Sequence, residues 1–311
     1  LKSVSPHIQF LPNSEINKAK WNDSINLSQN KLIYARSFYL DNIAPGWDAL
    51  TGENYKWVLP LTARTKFGIT YLYQPPFTQQ LGVFYQPGVV VPYKEIIEYL
   101  QHQYRFCEVN WNYEVSALPA HLSLQITTAT NFILDLSANY KNTAASYHGD
   151  LVRNLKRSKR FQLSYREQGE YDKSIQLYRE QYGKRMPHVN NNDYDNFKKI
   201  CSYCSENGML ICREAVDEQG TMMATVLLLV DGKRIYNLMN STTDAGRKSE
   251  ANHFLLDGVI KEFSGKDFFF DFEGSDLPGV KNFYQNFGSI NQPYFTLKYN
   301  LLPWPLKLLK K

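Results

Sequence analysis

Hydrophobic positions change period along this chain, and the changes outline its elements. From Tyr55 the runs YKWVLPLTART, GITYLYQP and QQLGVF mix aromatic, aliphatic and β-branched residues, punctuated by Gly68, Pro75, Pro76 and Gly82. That is the pattern of short strands and turns. A helix follows, with Pro92 near its first turn and Ile96, Ile97 and Leu100 on one face. Three more β-like runs, RFCEVNWN, HLSLQITT and NFILDLS, close the first half. The first 45 residues are polar and irregular, with one short helix expected over 14–21.

The second half opens on a helix expected over 143–160, with Arg153, Lys156, Arg157, Lys159 and Arg160 towards its C-terminus. Cations there suit either a phosphate partner or a solvated face favoured by the helix dipole. Amphipathic helices over 171–184 and 193–207 come next, the second ended by Gly208. Strands GMLICREAV, MMATVLLLV and RIYNLMN follow, with Asp231-Gly232 marking a tight hairpin turn. TTDAGRKSEANHFLLDG leads into a helix that turns Ala251, Phe254, Leu255, Gly258 and Val259 inward, and DFFFDFE, PGVKNFYQNFG and PYFTLKYN finish the domain. The order strand, loop, helix, strand occurs twice, in LGVF to EVNWN and in YNLMN to FDFEG, the mark of a diverged internal duplication. Alternating β and α with hairpins between them predicts an α/β (α+β) chain, with mixed β-sheets flanked by helices.

Composition narrows this picture. At 311 residues, 43% hydrophobic and 21% charged, the chain reads as a globular protein of one large or two ordinary domains. Its longest apolar run, VLLLV at 226–230, is far short of the roughly 18 residues that span a bilayer. No signal-peptide pattern opens the chain, which starts at Leu1. A net charge of +5 permits an anionic substrate but lacks the basic stripe of a nucleic-acid binder. Four cysteines are too few for a disulfide framework, so a reducing, cytoplasmic location is expected. Cys201 and Cys204 form a C-x-x-C, yet with Phe197 and Ile200 they fall on one helix face and read as core. The tail LLPWPLKLLKK sets Trp304 and leucines beside Lys307, Lys310 and Lys311. It suits weak contact with an anionic membrane surface, or a docked or frayed terminus.

Two segments carry candidate chemistry. In TTDAGRKSEAN, small residues (Gly246, Ser249, Ala251) and two cations (Arg247, Lys248) precede a helix. The pattern fits a phosphate cradle, and equally a plain helix start with Ser249 as N-cap. It is neither a P-loop nor G-x-G-x-x-G. In FDFEGSDLPGVKNFYQNFGS, alternation places Asp271 and Glu273 on one face at a strand end, and a short helix carries Phe283, Tyr284, Phe287 and Gly288.

Strand, phosphate-type helix, strand, then F-Y-x-x-F-G resembles the second half of a GNAT-superfamily acyltransferase. The family's R/Q-x-x-G-x-G/A loop is matched loosely by G-R-K-S-E-A, and its later aromatic-Tyr-x-x-apolar-Gly motif closely by Phe283–Gly288. Over most of residues 35–300 the chain resembles the tandem-GNAT, Fem-like branch, most specifically from about residue 147, where LVRNLKRSKR begins to match. That branch includes enzymes that add amino acids to peptidoglycan precursors. The resemblance implies two GNAT-like units in tandem, 1–142 on the acceptor side and 143–311 on the acyl-donor side. It implies acyl-CoA or acetyl-CoA as co-substrate, an amine acceptor from a metabolite or cell-envelope precursor, and no metal.

By the same resemblance, backbone groups at Leu238, Met239 and Asn240 stabilise an oxyanion, and Gly246, Arg247, Lys248 and Ser249 hold the CoA pyrophosphate. Tyr284 protonates the departing thiolate, and Glu273, with Asp271 beside it, is the first choice of base. Trp47, Tyr73, Gln74 and Gln80 line the acceptor pocket. His148 and His253 are lone helix histidines, more often structural than catalytic. Fem enzymes that use aminoacyl-tRNA carry F-K-x-x-F-G, and Tyr284 stands at the lysine's place, which argues against tRNA. A tyrosine instead suits a thiolate leaving group needing an acid of pKa about 10. The alternatives are Fem-like aminoacyl transfer and a binding-only module.

Overall fold

PYFTLKYN, the last long β-like run, lies inside a sheet built otherwise from first-half residues. NFILDLS makes the opposite exchange. The computed structural model describes residues 3–5, 8–115, 124–274 and 276–309. The chain divides into unit 1, Leu1–Ala129 with Pro293–Lys311, and unit 2, Thr130–Gln292. This differs from the expected division at 142/143, because sheet pairing rather than chain order assigns the two strands.

Unit 1 holds two sheets. The first contains β1 (Ser3–Ser5), β2 (Ile8–Leu11), β3 (Asp48–Thr51), β4 (Trp57–Leu61) and β7 (Phe84–Tyr85), in that order, with helices α1 (Lys18–Leu27) and α2 (Ser37–Ile43) in the β2–β3 connection. The second contains β5 (Ala63–Lys66), β6 (Ile69–Tyr73), β8 (Phe106–Trp111), β9 (Gln125–Ala129) and β17 (Tyr294–Asn300), in the order β5-β6-β8-β17-β9. Helix α3 (Tyr93–Gln103) buries Ile96, Ile97 and Leu100, as its periodicity predicts, against a core that includes Leu59, Leu72, Trp111 and Leu297.

Unit 2 is one seven-stranded sheet. Its strands are β10 (Phe132–Asp135), β11 (Ser164–Arg166), β12 (Leu210–Val216), β13 (Met222–Asp231), β14 (Arg234–Thr242), β15 (Phe269–Asp271) and β16 (Ile290–Asn291), ordered β11-β12-β13-β14-β15-β10-β16. Its helices are α4 (Tyr140–Ala145), α5 (Gly149–Ser158), α6 (Tyr171–Tyr182), α7 (Asn191–Glu206), α8 (Asp244–Lys248), α9 (Ala251–Phe263) and α10 (Pro278–Gln285). A capping box between Asn190 and Asp193 starts α7, which buries Phe197, Ile200, Cys201 and Cys204. Burial pushes the Cys204 thiol up to about 12, so the C-x-x-C is an inert core face.

The helix expected over 143–160 is two helices, because the chain is extended at His148 and the His148 N–H donates to the Asn286 carbonyl (2.8 Å). Gly288 makes that close approach workable. It sits at φ +74°, and a Cβ there would fall 2.2 Å from Ser146 Oγ. Asp257 on α9 accepts from Tyr140 (2.8 Å) and Tyr147 (3.0 Å), fastening the broken helix to the sheet's cover. Arg213 grips Glu262 with two bonds (2.8 and 2.5 Å), and Tyr165 donates to the same carboxylate (2.6 Å). Burial raises the Glu262 pKa, but Arg213 and Tyr165 outweigh it and leave it below its ordinary value.

The repeat suspected from sequence takes a shifted form. In each unit an antiparallel hairpin (β5–β6; β13–β14) precedes a helical crossover (α3; α8–α9) to a parallel strand (β8; β15). The first-half copy therefore begins at GITYLYQP; the β7 strand of LGVF belongs to the other sheet. Each parallel strand then pairs antiparallel with an exchanged one: β8 with β17, β15 with β10. Among the described residues no helix is long and apolar enough to cross a membrane.

Candidate functional site

β14 has two neighbours at its start and one further on. It pairs with β13 along its whole length, but with β15 only at Arg234↔Phe269, Ile235↔Phe270 and Tyr236↔Asp271. Leu227 faces Met239 while Leu228 faces Asn237, so Leu238 is the extra residue of a β-bulge. Beyond Tyr236 one edge of β14 faces a gap. Backbone alternation identifies the donors there. Thr243 N donates to Met223 O on β13 (2.9 Å), whereas Thr242 N donates away from β13 to Gln181 of α6 (3.3 Å). Asn240 N shares Thr242's side and therefore points into the gap, while Met239 N points to β13. The side-chain amides of Asn237 and Asn240, opposite the core residues Leu228 and Val226 on β13, are buried without hydrogen-bond partners among the described residues, unlike most buried polar groups.

Aromatic groups of α10 gather just past the end of β15, and α6 packs on β14. The F-Y-x-x-F-G helix packs Tyr284 on Phe272 (centroids 5.0 Å apart) and Phe283 on Phe287 (5.4 Å). Burial raises the Tyr284 pKa, and Tyr178, Glu273, Tyr182 and Asp271 raise it further. The phenol is therefore held protonated, with a carboxylate in range. Tyr178 and Tyr182 pack with tilted rings, centroids 5.0 Å apart and planes at 53°, and Tyr178 is pushed up to about 12 by burial and its neighbours, including Glu273. These two tyrosines and Gln181 went unnoticed in the sequence. The signal was a Tyr pair at i, i+4 continuing the Ile175 face of α6.

The two carboxylates part company. Asp271 is 1% exposed, ion-paired with Arg234 Nε (3.2 Å) and accepting a hydrogen bond from the Glu273 N–H (3.0 Å). Burial raises its pKa while Arg234 opposes the rise. It clamps the end of β15. The strand stops at Asp271 and Glu273 adopts φ +56°, so the alternation that put both on one face does not extend that far. Glu273, half-buried, is the carboxylate at the Tyr178–Tyr284 cluster.

TTDAGRKSEAN is not one helix start. Thr243 caps α8 by accepting from Gly246 N (3.0 Å), and Ser249 ends that helix, donating to Gly246 O (3.1 Å). This corrects Ser249 as an N-cap. Gly246 is needed for packing, since a Cβ would sit 2.0 Å from the Met223 carbonyl oxygen. Arg247 pairs with Asp244 (2.7 Å), and Lys248 is exposed. At the start of α9, Glu250 binds Arg157 (3.1 Å) and His253 (3.0 Å). A carboxylate of the chain itself thus occupies the position that favours an anion. His253 reaches Asn154 on its other side (3.2 Å) and is a bridging residue, not one at the gap.

Unit 1 uses its candidates internally. Trp47 is 1% exposed, bonded to Asp41 (2.8 Å) and packed edge-on against Trp21. Gln74 accepts from Asn110 N (2.9 Å) and donates to Thr78 O (2.8 Å). Gln80 is fully buried and accepts from Tyr113 N (3.1 Å). Gln74 and Gln80 organise the 74–81 loop, and Trp47 sits in the core beside α1. Tyr73 keeps a partly exposed ring beneath Arg64 (3.9 Å).

No protein-family model and no curated protein matches this chain. Solved structures do. FemX superposes with a TM-score of 0.65 at 12% identity, over 97% of this chain and 99% of that one. The C-terminal domain (DUF2156) of a proposed lysylphosphatidylglycerol synthetase from Agrobacterium fabrum gives 0.54 at 11% identity, over 94% and 93%. L-PGS from Bacillus licheniformis gives 0.53 at 12%, over 94% of each chain. Such likeness fixes architecture: the chain has the tandem GNAT-like fold of the Fem-like type.

Proposed function

We propose that unit 2 transfers an acyl group from an acyl-CoA to an amine. The observation that supports this is the parting of β14 from β15 beyond Tyr236 and Asp271, which leaves the Asn240 N–H outside the ladder; the protonated phenol of Tyr284, with Glu273 in electrostatic reach, follows the end of β15. The amine nitrogen attacks the thioester carbonyl carbon, and the carbonyl electron pair moves to oxygen, where Asn240 N–H stabilises it. Collapse breaks the C–S bond. Sulfur takes the Tyr284 proton, and the amine's surplus proton passes to Glu273. The donor's phosphates lie near the start of α8, with Arg247 and Lys248 as their cations.

Thermal unfolding with CoA and acetyl-CoA titrated in tests the donor. At about a hundredfold over Kd, a bound ligand adds roughly 2.7 kcal/mol of stability. A saturable shift, smaller in Arg247→Glu, supports the reading; no shift at millimolar CoA removes both donors.

A second reading keeps the gap and changes the donor to an aminoacyl-tRNA. It is favoured by Glu250 filling the α9 start and by the exposed Lys156, Arg157, Lys159 and Arg160 at the end of α5. FemX and the lysylphosphatidylglycerol synthetase domain share its fold. Steeply salt-dependent tRNA binding, lost on reversing those cations, would select it.

A further inference from the structure

The β5–β6 turn of unit 1 places a bulky aromatic where the backbone disfavours it. Lys66 pairs with Ile69, leaving the two-residue loop Phe67-Gly68 with φ of +52° and +75°. Both positive values define a type I′ turn, whose first central position ordinarily takes Asn, Asp or Gly. A phenylalanine there is strained, and its contacts, with Lys66 Nζ 5.5 Å from its ring centre, offset little of it, because Phe67 is 85% exposed. Strain of this kind, kept with little structural return, points to function.

The C-terminal segment adds to the same face. Leu302 and Leu306 join Ile69 and Phe106, together with Lys66 and Phe67, in lining an apolar groove. Between those two leucines Trp304 is 82% exposed. Charge is one-sided. The hairpin ARTKFGIT and the tail NLLPWPLKLLKK contain no Asp or Glu, and they carry Arg64, Lys66 and Lys307. Lys310 and Lys311, in the same tail, lie outside the described residues.

We propose that this face docks on an anionic lipid bilayer. Phe67 and Trp304 enter the headgroup boundary, where amphipathic aromatics are favoured. Lys66 and Lys307 meet the lipid phosphates, and the groove accepts the upper part of an acyl chain. A protein partner would equally cover the apolar residues, but a hairpin and a tail that carry cations and no acid, with Glu108 on the adjoining β8 already paired to Lys298 (3.3 Å), favour a uniformly negative surface over the mixed charges of a protein rim.

Cosedimentation of the intact chain with vesicles tests this, using phosphatidylcholine alone and phosphatidylcholine mixed with phosphatidylglycerol. Binding is expected only to the mixed vesicles, and it should weaken with salt. Phe67→Ser with Trp304→Ser should abolish it. Lys66→Gln and Lys307→Gln should each weaken partition about fivefold. The substituted side chains are exposed, and an unchanged melting temperature would show that the variants fold. Equal binding to both vesicle types, no binding to either, or variants that bind as the parent does would overturn the proposal. So would self-association through this face without lipid binding, which would assign it to a protein.

Discussion

The two units contain the same device and finish it differently. In each, a hairpin's second strand pairs in parallel with a later strand for only two or three residues. In unit 1 the space beyond that pairing is stitched shut. Gln74 takes the Asn110 N–H, Asn110 Nδ2 donates to Gln79 O (2.8 Å), Leu81 N donates to Asn110 O (2.8 Å), and Gln80 takes the Tyr113 N–H. In unit 2 the strands part, Gln181 binds the far end at Thr242, and the amides of Asn237 and Asn240 are unpartnered among the described residues. A splayed parallel pair is thus a general opportunity for a backbone to bind something. One copy binds its own loop, and the other presents its groups.

The largest expected effect falls on unit 2's open copy. Tyr284→Phe should lower kcat by about 10²–10⁴ while the melting temperature holds, measured by acyl transfer and thermal unfolding side by side. The raised Tyr284 pKa adds a pH signature. Its ionisation should produce no fall in kcat around pH 10, near the ordinary phenol value, and a fall there would contradict a partly buried phenol with a raised pKa as the acid. Gly246→Ala comes next. Its Cβ has no room against Met223 O, so unfolding should become easier by about 2–3 kcal/mol. An unaltered melting temperature would show that α8 shifts freely.

Gln74→Ala is the mirror experiment in unit 1. Leaving Asn110 N unpartnered should lose about 2 kcal/mol of stability, seen in urea denaturation, with kcat and KM unchanged. A raised KM for the acceptor would instead restore Gln74 to substrate binding. Glu262→Gln should have the smallest effect, about 1–2 kcal/mol at neutral pH. Because the folded Glu262 pKa is depressed, its stabilisation is present above the ordinary carboxylate value and is lost as pH falls through the folded pKa. The stability gap between parent and variant should therefore close below about pH 4. Asp257 and Asp271, both raised by burial, shift with the opposite sign, so the difference between parent and variant is the informative quantity.

Much of the frame was readable. The α7 face, the turn after Asp231 and the F-Y-x-x-F-G helix follow from periodicity and turn chemistry, which are local. Asn240 was within the predicted stretch, but its selection over Met239 needed the pairing of Thr242 and Thr243. Asp271 and Glu273 looked equivalent because alternation assumes a strand that continues, and this one ends between them. Gln74 and Gln80 looked free because the backbone N–H groups they accept from, at Asn110 and Tyr113, lie more than 30 residues away, and Trp47 because its edge-on partner Trp21 belongs to another element.

The sequence by itself determined most elements of the second half, a repeated strand–helix–strand order and the aromatic helix, since these depend on neighbours within a few turns. Tertiary structure decided the exchange of β10 and β17, because a strand's partner is chosen by whichever sheet edge buries its apolar face and completes its ladder. It also decided which of the two splayed pairs stays open. That outcome depends on whether loop amides can reach the unpaired backbone, and reach is a property of the folded chain.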